Sequence, residues 1–475
     1  MIKNIYFSKI FLFIILCLSF HIIASIFSIG FYSDDEHFQI LEPVAYLMGI
    51  NEQLINDPTY YYWEWNEGRR IRPLIQIYFY FYLIKPFEYL QNPFLWSFIL
   101  RFISSLIGFF SLLYLFFTFY KKYNFNKNSF NYFIFFCFWF YPFLHSRTSS
   151  ENLSLSIFIL GLCLIYNYEF DKKSLLKLLT GVFLIGIAVD VRFNLIFSVA
   201  PLIGYLVLKT FNFLKVILII IAFISALAIC IIIDSIFWGF YTNTFLQFYH
   251  FNMGPSNFLN SFGIEPWWYY ITETIISLSP LLSLIFLFSI IYFWFKKPFD
   301  YLTIITFFHF IILSYIGHKE IRYIFPLFIF APFFIIYLID NIHNTYLLKL
   351  TKSILIISNL IFLFIALLYP LNSKVGVYKY LYTIDSKKEI FYYGENPYQI
   401  NNMEPYFYTK FLKKIQPLEN NDYDDEYYLI TNDFNFINNM EKNCELKYST
   451  IPRFLFNINS NWKRLKLNWE VLYCN

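Results

Sequence analysis

The chain has 475 residues, of which 58% are hydrophobic and 14% charged, with a mean hydropathy of +0.50; soluble domains carry about 25% charged residues, so an ordinary soluble protein is excluded. Lys and Arg number 36 against 32 Asp and Glu, a net charge of +4. That balance, without a basic run, excludes nucleic acid as a partner.

Lys3 and Lys9 precede the first apolar run, Ile10 to Phe31. It is longer than a signal-peptide core and has no small-x-small cleavage site, so it reads as a retained anchor. A bilayer core of about 30 Å takes about 20 helical residues to cross. Further runs of this kind fall at 94–120, 129–145, 153–168, 175–191, 194–209, 213–236, 273–295, 300–317, 322–340 and 350–370. Leu74–Leu90 is interrupted by Lys85 and Pro86. Read as an interfacial or re-entrant helix, it leaves the clusters Lys121/Lys122/Lys127, Lys172/Lys173/Lys177, Lys209/Lys215, Lys296/Lys297 and Lys349 on the side of the N-terminus, as the positive-inside rule asks. The expected fold is an all-α polytopic membrane protein of about eleven transmembrane helices, with the N-terminus cytoplasmic.

Residues 372–475 carry 13 basic and 13 acidic groups, against 42 charges in the first 371 residues. A transmembrane body over 1–371, with a first extracytoplasmic loop at 32–93, is therefore expected to precede a soluble C-terminal domain. Alternating segments Glu389–Gly394, Tyr427–Thr431 and Leu465–Tyr473 predict strands, and Pro405–Ile415 a helix, which makes the tail a small α/β domain on the extracytoplasmic face. Asp422, Asp424, Asp425 and Glu426 read as an acidic solvated turn. Cys17, Cys137, Cys163 and Cys230 lie in spans as small apolar residues, whereas Cys444 and Cys474 lie in the tail, where an oxidising compartment would let them pair.

This topology gathers the unusual polar residues on one face. Asp34, Asp35, Glu36 and His37 follow the first span directly, and carboxylates at a membrane boundary are costly and tend to be functional. Gln39 and Glu42 come next, then Trp63, Glu64 and Trp65, and Arg69, Arg70 and Arg72. Two Trp flanking a Glu also suit an interfacial belt. Arg147 and Arg192 are candidate phosphate ligands, because a guanidinium binds phosphate through two parallel hydrogen bonds. His318, Lys319 and Arg322 set three cations around Glu320 at a helix start, an arrangement that suits an anionic headgroup, with snorkelling side chains as the plainer alternative. Cations that hold a lipid-linked phosphate and a carboxylate that takes a proton from an acceptor hydroxyl together fit transfer chemistry. A carrier for an anionic solute needs similar groups.

These residues resemble the dolichyl-phosphate-mannose-dependent mannosyltransferases that extend asparagine-linked glycan precursors and glycosylphosphatidylinositol anchors, together with their bacterial relatives. Ser33-Asp34-Asp35-Glu36-His37-Phe38-Gln39-Ile40-Leu41-Glu42 is similar to the family's first-loop pattern His-Pro-Asp-Glu-His-x-Gln with a Glu three residues on. Tyr62-Trp63-Glu64-Trp65 and Ile71-Arg72-Pro73 resemble its Thr-Trp-Glu-Trp and Ile-Arg-Ser. Arg147-Thr148-Ser149-Ser150-Glu151-Asn152 resembles its Arg-Thr-x-Ser-Asn, with Glu151 intervening. Asp234-Ser235, Phe262-Gly263 and Pro266-Trp267-Trp268 are similar to its long loop, and His318-Lys319-Glu320-Ile321-Arg322-Tyr323 to its His-Lys-Glu-x-Arg-Phe.

The resemblance implies an inverting transferase of the class C glycosyltransferase fold that takes mannose from a polyprenyl-phosphate-mannose donor to a glycan or glycolipid acceptor. It implies Asp35 as general base with Glu36 shaping its environment, and His318, Lys319 and Arg322 at the donor phosphate or the sugar end, while Arg147 and Arg192 stay candidate donor-phosphate ligands by their own chemistry. Glu42, Trp63, Glu64, Trp65, Arg72 and Trp267 would position the loops or the acceptor. Since Ser33-Asp34 replaces the family's His-Pro, Asp34 stays open as an alternative base. The donor sugar and the acceptor are left open, and the membrane is a bacterial inner membrane or that of the endoplasmic reticulum. No cofactor is implied, and His37, His145, His250 and His318 lack the tight spacing of a zinc site, so no metal is expected. The rival secondary transporter calls for two repeat-related halves with interrupted midplane helices, a pattern the sequence does not show; a noncatalytic assembly partner of the same fold would leave the first-loop carboxylates dispensable.

Overall fold

The computed structural model describes residues 2–51, 64–65, 69–171, 175–210, 212–253, 263–277, 280–384, 388–418, 426–440, 444–452, 456, 461, 464–465 and 467–474. Hydrocarbon offers no partner to a backbone N–H or C=O, so the apolar runs form helices that satisfy themselves. Among the described residues five helical stretches are long and apolar enough to cross a bilayer: Lys9–Phe27, Pro93–Lys122, Ser150–Tyr168, Phe213–Trp238 and Thr345–Thr383. Two bent pairs, Pro280–Lys296 with Tyr301–Tyr315 and Ile321–Phe328 with Ala331–Asp340, turn by 120° and 49° and raise the number to seven if each is one span.

The other expected runs form shorter helices than a count of eleven assumes. Those at 175–191 and 194–209 give helices of 17 and 14 residues. The run at 129–145 is parted into Ser129–Phe136 and Phe140–His145. Asn359 explains how that break is tolerated: its side chain donates to Cys137 O at 2.8 Å and accepts from Trp139 N at 3.0 Å, satisfying two backbone groups that the break frees. Leu74–Leu90 holds a ten-residue helix, Ile75–Ile84, about 15 Å long, followed by a 3-10 turn over Lys85–Leu90. That length is about half the thickness of a bilayer core.

Two compact units divide the chain. The first comprises Met1–Ile26, Trp63–Phe79 and Arg101–Leu368, and the second Phe27–Tyr62, Tyr80–Leu100 and Tyr369–Asn475. The boundary expected after residue 371 is therefore not the division of the compact units, because the first half of the long loop groups with the tail.

The first unit is built on aromatic packing. Phe116 meets Phe135 and Phe136 at 4.9 and 4.6 Å between ring centroids, and Phe135 meets Phe333 edge-on at 5.0 Å. Lipid tails are as apolar as these rings, so such contacts hold helices together by dispersion and shape rather than by escape from water.

The second unit carries a five-stranded sheet: β1 (Ile390–Tyr393), β2 (Gln416–Pro417), β3 (Tyr427–Thr431), β4 (Cys444–Ser449) and β5 (Glu470–Cys474), in the order β2-β1-β3-β5-β4. The first three are parallel, and β5 runs antiparallel to β3 and β4. Central β5 is almost wholly buried, whereas edge strand β4 alternates, as a strand with one wet face should. Cys444 lies opposite Cys474 in the β4–β5 register, and the two form a disulfide. The helix expected at Pro405–Ile415 is a single turn, Tyr406–Thr409. The expected acidic turn falls largely outside the described residues, which include Glu426 but not Asp422, Asp424 or Asp425.

Within the same unit the chain leaving the first span meets the chain entering the tail. Leu371 N donates to Ile29 O at 2.9 Å. Gly30, at φ +90°, lies so close to Asn372 that a Cβ would stand 2.8 Å from its backbone N and Cβ.

Candidate active site

The first-loop carboxylates belong to the second unit. Asp34–Glu36 forms a helical turn, His37–Leu41 a π turn, and Glu42–Leu47 continues as α-helix. Pro43 gives a physical reason for the insertion: it has no N–H to direct at Gln39, and its ring would crowd that carbonyl in an uninterrupted α-helix. π turns of this kind recur at functional sites. Asp34 and Asp35 are half-buried. Asp34 accepts from Asn401 Nδ2. Glu36 is buried and accepts from the Tyr32 amide at 2.9 Å, so its carboxylate fastens the turn that presents the two aspartates. Glu42 and His37 are buried and paired at 2.8 Å.

The middle of the long loop, from Trp63 to Phe79, belongs to the first unit. Glu64 and Arg72 form a two-pronged ion pair, with Arg72 Nε 2.9 Å from Glu64 Oε2 and Arg72 Nη2 donating to Oε1. Trp65 is buried against Phe237 and Trp238, a packing residue in this structure. Arg70 stacks over Trp238 and Phe240, 4.8 and 4.3 Å from their centroids. Trp63 lies outside the described residues, and Trp267 is 61% exposed. What holds this loop is a residue the sequence marks only by its likeness to the family's long loop, with no role: buried Asp234 accepts from Leu74 N at 3.0 Å and from Thr244 Oγ1 at 2.5 Å. A lone carboxylate in the apolar run 213–236 was the available signal.

Two of the expected phosphate ligands meet in one small cleft, lined by Glu151, Arg192, Asn194, His309, Arg322 and Tyr323 among others. Arg192 Nη2 lies 2.8 Å from Glu151 Oε1, and Arg322 Nε lies 3.8 Å from the same oxygen. Arg322 also grips Glu320 twice, at 2.5 and 2.9 Å. His318 Nε2 and the Tyr323 hydroxyl meet Glu320 Oε1 at 3.2 and 2.8 Å. Burial by itself raises the Glu320 carboxyl, but the His318 hydrogen bond, the Arg322 charge and hydrogen bonds and the Tyr323 hydroxyl outweigh it and hold the group well below the ordinary carboxylate range. His309, buried, bridges Ser198 Oγ at 3.0 Å and Tyr323 O at 2.7 Å, bracing the cleft floor.

Lys319 is arranged differently from the phosphate ligand the sequence suggests. Its ammonium meets three carbonyls, Glu265 O at 2.9 Å, Gly317 O at 3.5 Å and Ile316 O. An ammonium has three protons to give, so Lys319 ties the segment around Glu265 to the turn before Ile321. Burial lowers its proton affinity, and the Glu265 charge offsets part of that. Arg147 is 1% exposed and donates to Ser146 Oγ at 3.0 Å; Asn152 Nδ2 bonds the carbonyls of His145 and Arg147, fixing the turn into Ser150–Asp171. Glu151, set aside in the sequence as an intervening residue, is the carboxylate on which both cleft arginines converge. Among the described residues no group of three or more His, Cys, Asp or Glu side chains is placed to hold a metal ion.

The fold is that of the class C membrane glycosyltransferases. It matches the crystal structure of ArnT from Cupriavidus metallidurans bound to undecaprenyl phosphate with a TM-score of 0.54 at 8% identity over 98% of each chain. The apo state of the same enzyme matches with a TM-score of 0.51, at the same identity and coverage. The sequence pattern of the Alg9-like mannosyltransferase family matches residues 12–408. The chain belongs to the Alg9-like mannosyltransferase family, and is accordingly a multi-pass membrane glycosyltransferase. No curated protein matches it in sequence.

Proposed function

We propose that the protein transfers mannose from a polyprenyl-phosphate-mannose donor to a hydroxyl of a glycan or glycolipid, with inversion at the anomeric carbon. The observation that carries this reading is the Arg192–Arg322 cleft in a chain of this family. Two guanidiniums suit the charge that grows on a phosphate as its bond to the sugar breaks, and charged hydrogen bonds are worth about 1.5–3 kcal/mol each. Asp35 takes the acceptor's proton, the acceptor oxygen bonds to the anomeric carbon, and the carbon–phosphate oxygen bond breaks, releasing polyprenyl phosphate. Such a leaving group needs little protonation, so one carboxylate suffices. Asp35 is favoured over Asp34 by the register of Glu36-His37-Phe38-Gln39. ArnT, with undecaprenyl phosphate bound, gives support by likeness of fold. The active face is extracytoplasmic in this reading, and the Cys444–Cys474 disulfide agrees with an oxidising compartment.

The test is transfer of radiolabelled mannose from polyprenyl-phosphate mannose by wild type, Asp35→Asn and Asp34→Asn. Loss of general base catalysis predicts a fall of about 100-fold or more for Asp35→Asn and a smaller change for Asp34→Asn. Full activity of Asp35→Asn removes the base assignment. Failure of the wild type to transfer mannose to any lipid or glycan acceptor overturns the reading.

A further inference from the structure

His37 and Glu42 are both 0% exposed, an unusual state for an imidazole and a carboxylate beside a membrane boundary. They lie five residues apart. In an α-helix that spacing is about 140° around the axis and separates two side chains. The π turn closes a bond from Glu42 N–H to His37 O and brings His37 Nε2 to 2.8 Å from Glu42 Oε1.

A buried carboxylate is stable only where donors fill its lone pairs. The loop supplies two of them, His37 Nε2 and Asn51 Nδ2, the latter at 2.9 Å. The third comes from the tail: the Phe407 amide donates to Glu42 Oε1 at 3.0 Å. Since a carboxylate only accepts, Nε2 carries a proton. The imidazole stacks with Phe31 at 5.0 Å and with the Tyr408 ring at 5.5 Å, the latter within 14° of parallel. Tyr408 stacks in turn with Phe94 at 5.6 Å. All these residues belong to the second compact unit. The family match ends at residue 408, so Phe407 and Tyr408 fall inside it while β2 to β5 lie beyond.

We propose that the tail turn Tyr406–Thr409 is a positioning element of the transferase: the Phe407 amide and the Tyr408 ring hold the Glu42–His37 pair, and the π turn between those two residues fixes the orientation of Asp35. The inference rests on Asp35 being the base. The tail is then part of the catalytic machinery, joined to the first loop through one backbone donor and one aromatic face.

The test uses full-length protein in lipid nanodiscs, with polyprenyl-phosphate mannose as donor and octyl α-mannoside as acceptor probe. Tyr408→Leu is expected to lower kcat by about 10- to 100-fold, the effect of a misplaced catalytic group, with donor KM within about twofold. Tyr408→Phe, which keeps the ring, restores most of that loss. The double variant Tyr408→Leu/Glu42→Gln falls no further than Glu42→Gln alone, the signature of two residues acting through one contact. Unchanged kcat in Tyr408→Leu, or additive losses in the double variant, overturns the proposal. Hydrogen exchange of the peptide 34–47 is read on the same samples and needs no turnover. It is expected to quicken in Tyr408→Leu while Ser150–Asp171 stays protected. No change in 34–47, or loosening throughout the protein, counts against a local positioning role. If the wild type transfers no mannose to this probe or to any other lipid or glycan acceptor, the mannosyl-transfer reading fails by itself, and exchange alone decides whether Tyr408 holds the first-loop helix.

Discussion

Glu151 and Arg192 are ion-paired at 2.8 Å inside the cleft, and Arg322 stands 3.8 Å from the same carboxylate oxygen. With Glu320 also paired to Arg322, two carboxylates balance two guanidiniums, so an incoming phosphate competes with Glu151 for its arginines. Glu151→Gln removes that competitor. Polyprenyl phosphate is expected to bind more tightly to the variant, read by titration of the purified protein. The same change leaves Arg192, a partly buried arginine, short of its counter-ion, a loss below the about 3–5 kcal/mol of a fully buried pair broken on one side, so the thermal midpoint falls. Tighter binding at lower stability is the expected combination; weaker binding would show that Glu151 organises the cleft for the donor rather than occupying it.

Arg322 and Lys319, three residues apart, part company by the same logic. Arg322 faces the cleft, whereas Lys319 is used by three carbonyls. Arg322→Gln is expected to weaken polyprenyl phosphate binding by about 10- to 100-fold, the worth of one charged hydrogen bond. Lys319→Met should lower the thermal midpoint and change binding by less than about threefold. The reverse ranking would return Lys319 to the phosphate and remove Arg322 from it.

The Glu320 cluster sets an acid dependence. Its carboxyl is held below the ordinary value of 4.5, so its ionised form contributes stability that is present above that value. That contribution declines as pH falls below 4.5 and is lost once pH passes the depressed folded value. Thermal midpoints measured downward from neutrality should therefore acquire a slope in that window, and Glu320→Gln should flatten it. A slope that persists in Glu320→Gln belongs to other carboxylates.

Much of this arrangement was legible from residue type and spacing. The density of apolar runs announces a membrane body, and His318-Lys319-Glu320-Ile321-Arg322-Tyr323 announces a turn of clustered charges between two apolar segments. What escaped depends on contacts between distant segments. Lys319 looks like a phosphate ligand in one dimension because the carbonyl of Glu265, 54 residues earlier, is invisible there. Glu151 looks like an interruption because its partners are 41 and 171 positions further along. The tail looks separate because its composition changes at residue 372, yet its Phe407 amide completes the shell of Glu42. The count of eleven spans follows from run length, and run length does not register the breaks at Cys137 or between Phe328 and Ala331.

The disulfide between Cys444 and Cys474 closes a loop with a sequence separation of 30, for which chain entropy alone predicts about 3–4 kcal/mol of stabilisation. Cys444→Ser with Cys474→Ser should loosen the β4–β5 edge, seen as faster hydrogen exchange over 444–449 and 470–474. Labelling Cys474→Ser with a membrane-impermeant maleimide then reads the side of the membrane directly, because Cys444, partly exposed on edge strand β4, is left as a lone thiol in the tail. Reaction from the extracytoplasmic side is expected, and reaction from the cytoplasmic side alone would invert the proposed topology.

Gly161 and Gly181 face one another where Ser150–Asp171 crosses Leu175–Val191. A Cβ on Gly161 would stand 2.6 Å from Gly181 O, and one on Gly181 would stand 2.7 Å from Gly161 O. Backbone meets backbone here, so neither side has a flexible side chain that can give way. Close approach through small residues is how helices gain dispersion energy in lipid, where no hydrophobic drive favours them over the bilayer. Ser150–Asp171 carries Glu151 at its start, and Leu175–Val191 delivers Arg192 directly after its end. The crossing therefore sets the separation of the cleft's central ion pair. Gly161→Ala and Gly181→Ala are each expected to lower the thermal midpoint by the equivalent of about 1–3 kcal/mol of overpacking. Both should also weaken polyprenyl phosphate binding although neither residue lines the cleft. Loss of stability with binding intact would mean that the ion pair is placed by other contacts.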